Sequence, residues 1–356
     1  MLVTHDLSEE SMLWMDEVRE VFDELVIFID SRRVTPRTPE RAAKVATRVH
    51  QYDTVEWYQW DLGSMVEACQ SDWVFLIERD EQLSAEWKLN GWRKILQGTE
   101  LTHFWIPRRW VVPGGRFISA APWWPDCHPR LFRSNVRGTT FPTRLHDTTH
   151  VPGGSGTLRS LAIHHHVLRQ CSRPVREERM RYYEQLRPGG ALEQYYLYED
   201  HAPPEAPLPE PTLLDAASEV INIEKLAPGS ISRVSLTVSG VPREMRASTM
   251  YWIEANVANS SDQVLSAGGP HPTCLAYHWI AAETRRRAVF EGIRTWLFPD
   301  LQPNASGQYS MTVVAPPHPG DYILQVTMVQ EGICWFEDIV PEFAGEFLAS
   351  VRERRP

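Results

Sequence analysis

The chain has 356 residues, 42% of them hydrophobic and 23% charged, and a formal net charge of -10. That length allows two domains with full-sized cores, and the acidic balance excludes a chain-wide basic footprint for nucleic acid. No apolar run approaches the roughly 18 residues of a membrane helix, and no basic segment followed by an apolar one opens the chain, so a cytoplasmic protein is expected. The five cysteines, Cys69, Cys127, Cys171, Cys274 and Cys334, are scattered without a C-x-x-C spacing and read as reduced thiols.

Met1-Leu2-Val3-Thr4 opens the chain as a short apolar strand, ending near Asp6. Ser8 caps a helix with Glu9 and Glu10 in its first turn, and apolar residues recur at Met12, Leu13, Met15, Val18 and Val21-Phe22 with a helical period. Glu24 to Ile29 is a second strand ending in Asp30-Ser31. Thr38-Pro39 starts a helix expected to run to about His50, and Thr54 to Trp60 is a third strand. After a short helix over 61–69 comes Trp73-Val74-Phe75-Leu76-Ile77, an apolar run closed by Glu78-Arg79-Asp80-Glu81. Such a run predicts a central strand buried on both faces. The charges after it read either as the start of a solvated helix or as a metal and ligand site at a strand's C-terminal end.

Strands alternating with helices predict βαβ crossovers and a mostly parallel, Rossmann-like sheet. Neither G-x-G-x-x-G nor G-x-x-x-x-G-K-[ST] occurs, which removes the dinucleotide and P-loop fingerprints. Trp87 to Leu96 is an amphipathic helix, and His103 to Trp110 a further strand. Leu161-Ala162-Ile163-His164-His165-His166 follows as an extended segment in which His164 and His166 share one face.

SDWVFLIERDEQL (71–83), LVIFIDSR (25–32), PDCHPRLFR (125–133) and SRPVREERMRYYEQL (172–186) together resemble bacterial family-2-type glycosyltransferases of the GT-A fold. The resemblance implies an α/β domain that moves a sugar from a nucleotide-sugar donor to a saccharide or lipid-linked acceptor in surface polysaccharide synthesis. It implies a divalent metal (Mn or Mg) on Glu78, Asp80 and His165, and donor binding by Asp30, Glu78, Asp80 and Arg130. It also implies Asp126 as the base that takes the acceptor's proton. Glu78 stands where the family has Asp, and Arg32, Arg33 and Val34 replace a later Asp of the second motif. Asp126 and Arg130 also read as an ion pair pinning a loop. A histidine on a strand is more often a packed core residue than a ligand.

HAPPEAPLPEP (201–211) is a stiff spacer and sets the domains as 1–200 and 230–340, with a linker and short helix over 201–229. Period-two runs at 231–238, 249–257, 273–280, 309–314 and 322–329 predict an all-β immunoglobulin-like sandwich. Asn256-Val257-Ala258-Asn259-Ser260-Ser261, Tyr277-His278-Trp279, Ala315-Pro316-Pro317 and Gly320-Asp321-Tyr322 resemble a sandwich domain attached to bacterial polysaccharide-synthesis proteins, which implies glycan binding and peripheral association with membrane-bound assembly machinery. Tyr277, Trp279, Trp296 and Trp335 are candidates for a sugar platform, with at least half of them expected in the core. Residues 341–356 read as a charged tail with a short helix. Two rival functions stay open: a non-catalytic glycan-binding or assembly protein with a degenerate transferase domain, and a metal-dependent hydrolase using the histidines.

Overall fold

The computed structural model describes residues 1–4, 6–52, 62–89, 91–142, 148–186, 193–212 and 225–353. The expected strand over 54–60 and the His146-Asp147 loop lie wholly or partly outside them. The chain divides into an N-terminal unit (Met1–Ile118, Cys127–Leu197 and Glu205–Asn222) and a C-terminal unit (Ser119–Asp126, Tyr198–Pro204 and Ile223–Pro356).

The N-terminal unit runs β1 (Leu2–Thr4), α1 (Glu9–Val21), β2 (Val26–Asp30), α2 (Thr38–Val45), β3 (Arg48–Tyr52), α3 (Leu62–Glu67) and β4 (Trp73–Phe75). It continues with β5 (Glu81–Leu83), α4 (Gly91–Gly98), β6 (His103–Ile106), β7 (Arg108–Val112), β8 (Arg116–Ile118) and β9 (His128–Arg133). β10 (Ser155–Thr157), β11 (Ile163–His165), α5 (Val167–Gln170), α6 (Arg173–Leu186), α7 (Glu193–Tyr196) and β12 (Glu205–Pro207) complete it. The Ser8 hydroxyl accepts from the Ser11 N–H, and the Phe22 N–H closes the far end of α1 on the Val18 carbonyl. This satisfies backbone groups that a helix end otherwise leaves unpaired.

β1, β2 and β3 pair in parallel, and Ile77 adds a parallel bridge to Leu2 on the free side of β1. The apolar run is buried on both sides, as its composition dictates. Phe75 and Ile77 join Leu2, Ile27, Ile29 and residues of α1 and α4 in one core. Val74 and Leu76 join Val3, Phe28 and residues of α3 in another.

The expected fold class needs correction. The chain does not build a Rossmann-like, mostly parallel α/β sheet of GT-A type followed by an immunoglobulin-like sandwich; over the described residues as a whole strand outweighs helix, and the strands fall into several small sheets. Only β1, β2 and β3 form an all-parallel sheet. The others form a four-stranded sheet, β10-β6-β9-β4, and a five-stranded sheet, β12-β8-β7-β11-β5, both with antiparallel pairs. The physical reason is connection length. β6, β7, β8 and β9 follow one another with no helix between them, whereas neighbouring parallel strands need a crossover of about a dozen residues or more. Pro107, which breaks the expected strand over 103–110 into β6 and β7, starts that series. The second helix likewise stops at Val45, and Arg48–Tyr52 is strand because it completes the parallel ladder on β2.

The C-terminal unit contains β13 (Val234–Ser239), β14 (Glu244–Arg246), β15 (Met250–Asn259), β16 (Thr273–Ala281), β17 (Arg287–Val289) and β18 (Thr295–Trp296). β19 (Ala305–Val314), β20 (Gly320–Gln330), β21 (Cys334–Trp335) and β22 (Gly345–Arg352) follow. A three-stranded sheet, β13-β15-β19, and a seven-stranded sheet around β22-β20-β16 share one core, and β14 runs parallel to β22. This differs from the four-plus-three antiparallel arrangement of the immunoglobulin constant fold. The expected charged tail is β22, a strand inside the larger sheet. Among the described residues no helix is long and apolar enough to cross a membrane.

Gly292 marks a close approach in this core. A Cβ there would collide with Cζ of Tyr277, whose ring is almost wholly buried. Gly292→Ala is therefore expected to cost about 1–3 kcal/mol through overpacking. Urea denaturation followed by tryptophan fluorescence checks this, and an unchanged midpoint would show that the ring yields.

Candidate functional site

The parallel register places several acids at one edge of the N-terminal unit. Asp30 is the last residue of β2, and Asp6 follows β1. Ile77 lies parallel beside Leu2, so the chain leaves toward the same edge at Glu78. The C-terminal edge of parallel strands is where open sheets place their ligands. A tight turn follows, in which the Glu81 N–H donates to the Glu78 carbonyl at 3.1 Å and the Glu78 N–H donates to Glu81 Oε2 at 2.8 Å.

Glu81 is fully buried and is the hub of the cluster. Arg130 reaches it from β9, where the Arg130 carbonyl accepts from the Leu76 N–H. Nη2 of Arg130 lies 2.8 Å from both Glu81 Oε1 and Glu78 Oε1, and Arg108 Nη1 lies 3.3 Å from the same Glu81 oxygen. Burial, the largest influence, would raise the Glu78 carboxyl, but Arg130 together with Arg108 and His165 outweighs it and holds the group below its usual range. Burial likewise works against the Arg130 charge, and Glu81 and Glu78 restore it, leaving that guanidinium more basic than usual.

Asp80 faces the other way. β11 lies antiparallel to β5 with His165 opposite Glu81, and parallel to β7 with His165 opposite Trp110. That register brings His165 Nε2 to 3.6 Å from Asp80 Oδ2, with the Trp110 ring edge-on to the imidazole at 4.5 Å. Against the upward push of burial, His165 and then Arg179 and Arg79 draw the Asp80 carboxyl below its ordinary value. Nδ1 of His165 is buried and has no hydrogen-bond partner among the described residues.

The other two histidines point elsewhere. His164 Nε2 lies 3.3 Å from Arg109 Nη1, and burial with Arg109 lowers its pKa to about 3. His166 stacks on Trp14 at 4.4 Å, and burial with Arg169 lowers it to about 3 as well. Both rings are neutral near pH 7, and only His165 joins the acids.

Asp30 is buried. Its Oδ1 accepts from the Arg32 N–H at 3.1 Å, and Arg33 Nε stands 4.0 Å from Oδ2. Asp6 joins the edge through Arg79 at 3.4 Å and the Thr35 hydroxyl at 3.3 Å. Asp126 falls in the C-terminal unit, with a backbone φ of 36°.

The expected three-residue metal set is not assembled. Asp80 and His165 come together, but Glu78 is turned to Arg130, and no group of three or more His, Cys, Asp or Glu able to hold a metal occurs among the described residues. The Asp80–His165 pair offers one carboxylate, the donor that suits magnesium or manganese, and one imidazole, which suits zinc, copper, iron or nickel.

Residues that the sequence left unassigned complete the site: Glu81 as hub, Arg108, the Arg79–Asp6 pair and Arg179. The ERDE run contained Glu81. Alternation along β7 puts Arg108 and Trp110 on one face, and that was the available signal for the pair. In the C-terminal unit Tyr277 and Trp279 are core, while Trp296 and Trp335 are partly buried.

No family model matches the chain, and no curated protein matches it. Solved structures with weak likeness include a β-glucosidase from Listeria innocua in complex with isofagomine, at 13% identity and TM-score 0.24. That match covers 34% of this chain and 16% of the glucosidase. The CARDB domain of PF1109 from Pyrococcus furiosus, at 14% identity and TM-score 0.22, covers 33% of this chain and 94% of that one. The alkylpurine DNA glycosylase AlkC of Pseudomonas fluorescens, bound to DNA containing an abasic site analog, matches at 10% identity and TM-score 0.23. There 34% of this chain and 30% of the glycosylase are covered. Likeness at this level carries no argument about fold or activity.

Two outcomes follow from the cluster. Arg130→Met leaves the fully buried Glu81 with Arg108 as its one remaining arginine partner among the described residues and is expected to cost up to about 3–5 kcal/mol at pH 7 in urea denaturation. Glu78, held low chiefly by Arg130, stabilises the native protein above its unfolded value of about 4.3 and loses that contribution as pH falls through its lower folded value. The deficit of the variant should therefore narrow below about pH 4. Asp80→Asn behaves in the same direction. Its cost should be present at pH 7 and shrink as pH falls below about 3.9, and a cost that grows on acidification would contradict the assignment.

Proposed function

We propose that the N-terminal unit binds a nucleotide-sugar at the acidic edge of β1 and β2. Its sugar would be transferred to a saccharide or lipid-linked acceptor in bacterial surface polysaccharide synthesis. The observation that carries the reading is the convergence of Asp6, Asp30, Glu78 and Asp80 with Arg79, Arg108 and Arg130 at one strand edge. A sugar nucleotide is hydroxyl-rich at its ribose and sugar and anionic at its diphosphate. Such a ligand asks for carboxylate acceptors and guanidinium donors side by side. Asp30 is the acceptor for ribose or base, and the Arg130 and Arg108 network fixes the turn that carries Asp80.

A divalent metal held by Asp80 and His165 would neutralise the diphosphate leaving group. With only two protein donors, metal affinity in the absence of nucleotide is expected to be weak and to rise when a diphosphate is present. A second reading is supported by the commitment of Glu78 to Arg130: a unit that binds the nucleotide-sugar or a glycan without turning it over.

The test is a thermal-shift screen of UDP-, GDP- and dTDP-sugars with Mn, with Mg and with chelator. A binder at one hundred times its dissociation constant adds about 2.7 kcal/mol of stability. Asp80→Ala should abolish the metal-dependent part of the shift. Binding together with donor hydrolysis or transfer supports the enzyme, and binding without turnover supports the second reading. If no nucleotide-sugar shifts the protein under any condition, both fall.

A further inference from the structure

A cavity of about 420 Å³ opens in the N-terminal unit at the start of β4, the end of the apolar run opposite Glu78. Its walls follow from helix and strand periods. Val18 and Phe22 stand four residues apart at the end of α1, and Trp92 and Leu96 four apart on α4. Trp73 and Phe75 stand two apart on β4, so each pair presents one face. Phe22 ties the walls together, stacking on Phe75 at 5.1 Å and tilting against Trp92 at 5.4 Å. Phe22, Trp73 and Leu96 pack against the core yet are only partly buried, and all three line the cavity. Its volume falls in the usual range of ligand sites, roughly 300–1,000 Å³. A space of about 150 Å³ holds one benzene ring, so two fused rings with a short substituent fit here.

The charges around the mouth are committed, with one exception. Arg93 lies 3.2 Å from Asp23 and donates to the Val21 carbonyl. Glu24 pairs with Arg48 and accepts the N–H groups of Gln70 and Ser71. Arg133, 4.6 Å from the Trp73 ring, donates to the Thr99 and Leu101 carbonyls. Asp72 is exposed, and among the described residues its carboxylate has no hydrogen bond or ion pair. A ligand filling the space therefore meets aromatic rings and one uncommitted carboxylate, and both favour a cationic group over an anionic one.

We propose that this cavity binds an aromatic amine, its fused rings against Phe22, Trp73 and Leu96 and its ammonium at Asp72. The site is separate from the acidic edge, and the assignment does not depend on the nucleotide reading.

Isothermal titration of the full chain with tryptamine, indole and indole-3-propionate, which share a ring and differ in charge, tests this. Tryptamine should bind about 1.5- to 5-fold tighter than indole, the size of an exposed charge pair, and indole-3-propionate weaker than indole. Asp72→Asn should bring tryptamine to the affinity of indole and leave indole itself unchanged. Leu96→Trp fills the cavity and should abolish binding of all three. Leu96→Phe serves if that variant does not fold, and should weaken all three together. If wild type binds none of them, or the folded Leu96 variant binds them as wild type does, the cavity is not the site. Tryptamine binding no tighter than indole, or untouched by Asp72→Asn, overturns the place given to the ammonium.

Discussion

The Glu81 carboxylate, with no exposure to solvent, is the constraint on which the edge of the N-terminal unit depends. A buried carboxylate is tolerable only when its charge is met by partners in good geometry. Arg130 from β9 and Arg108 from β7 supply them at 2.8 and 3.3 Å. The two arginines come from two different sheets, so the salt bridge joins the four-stranded sheet to the five-stranded one at a single atom. It also fixes the turn from Glu78 to Glu81, because Oε2 of Glu81 accepts the Glu78 N–H. Asp80, within that turn, is thereby aimed at β11.

From this follows a division of labour that residue types alone do not reveal. The two glutamates of the ERDE run are structural to different degrees: Glu81 entirely, Glu78 while still partly open to solvent. Asp80 is the acid left over, and it faces a histidine and not a guanidinium in direct contact. Length contributes to the choice. A glutamate carries one methylene more than an aspartate, and here that reach is used to fold back onto Arg130.

What the sequence disclosed was what depends on neighbours along the chain. The run Trp73 to Ile77 announced burial on both faces, because alternate residues of a continuous apolar strand have no polar side to offer. The charges after it announced a strand end. The partners of those charges could not be read in the same way, since Arg108 lies 27 residues and Arg130 49 residues beyond Glu81. The mostly parallel sheet was over-read for a related reason. Helix–strand alternation holds up to β4, but the strands after His103 follow one another without crossovers, and a single Pro107 had to be weighed against an otherwise strand-like segment. Arg48–Tyr52 shows the opposite limit, a short mixed run whose strand state comes from its ladder with β2 and not from its own pattern. In β16 the period of two was informative: Tyr277 and Trp279 share the core face with Leu275, while Cys274 and Ala276 face the other way.

The charge pattern bears on how any anionic ligand would enter. Asp6 has Arg79, Asp30 has Arg33, Glu78 and Glu81 have Arg130 and Arg108, and Asp80 has His165. An edge balanced in this way exerts little net field at a distance, so long-range steering of a phosphate is weak. If the edge takes a phosphate as proposed, binding would proceed by exchange, with a guanidinium releasing a carboxylate as it takes a phosphate and the carboxylate turning to a hydroxyl or a cation. Glu81 cannot take part, since it is buried and shared between two arginines. The exchangeable members are those with solvent access, Glu78, Arg79 and Asp6, together with Asp80 and its imidazole. Specificity at this edge would thus come from which pairs can open, and the fully buried bridge sets the frame within which they do.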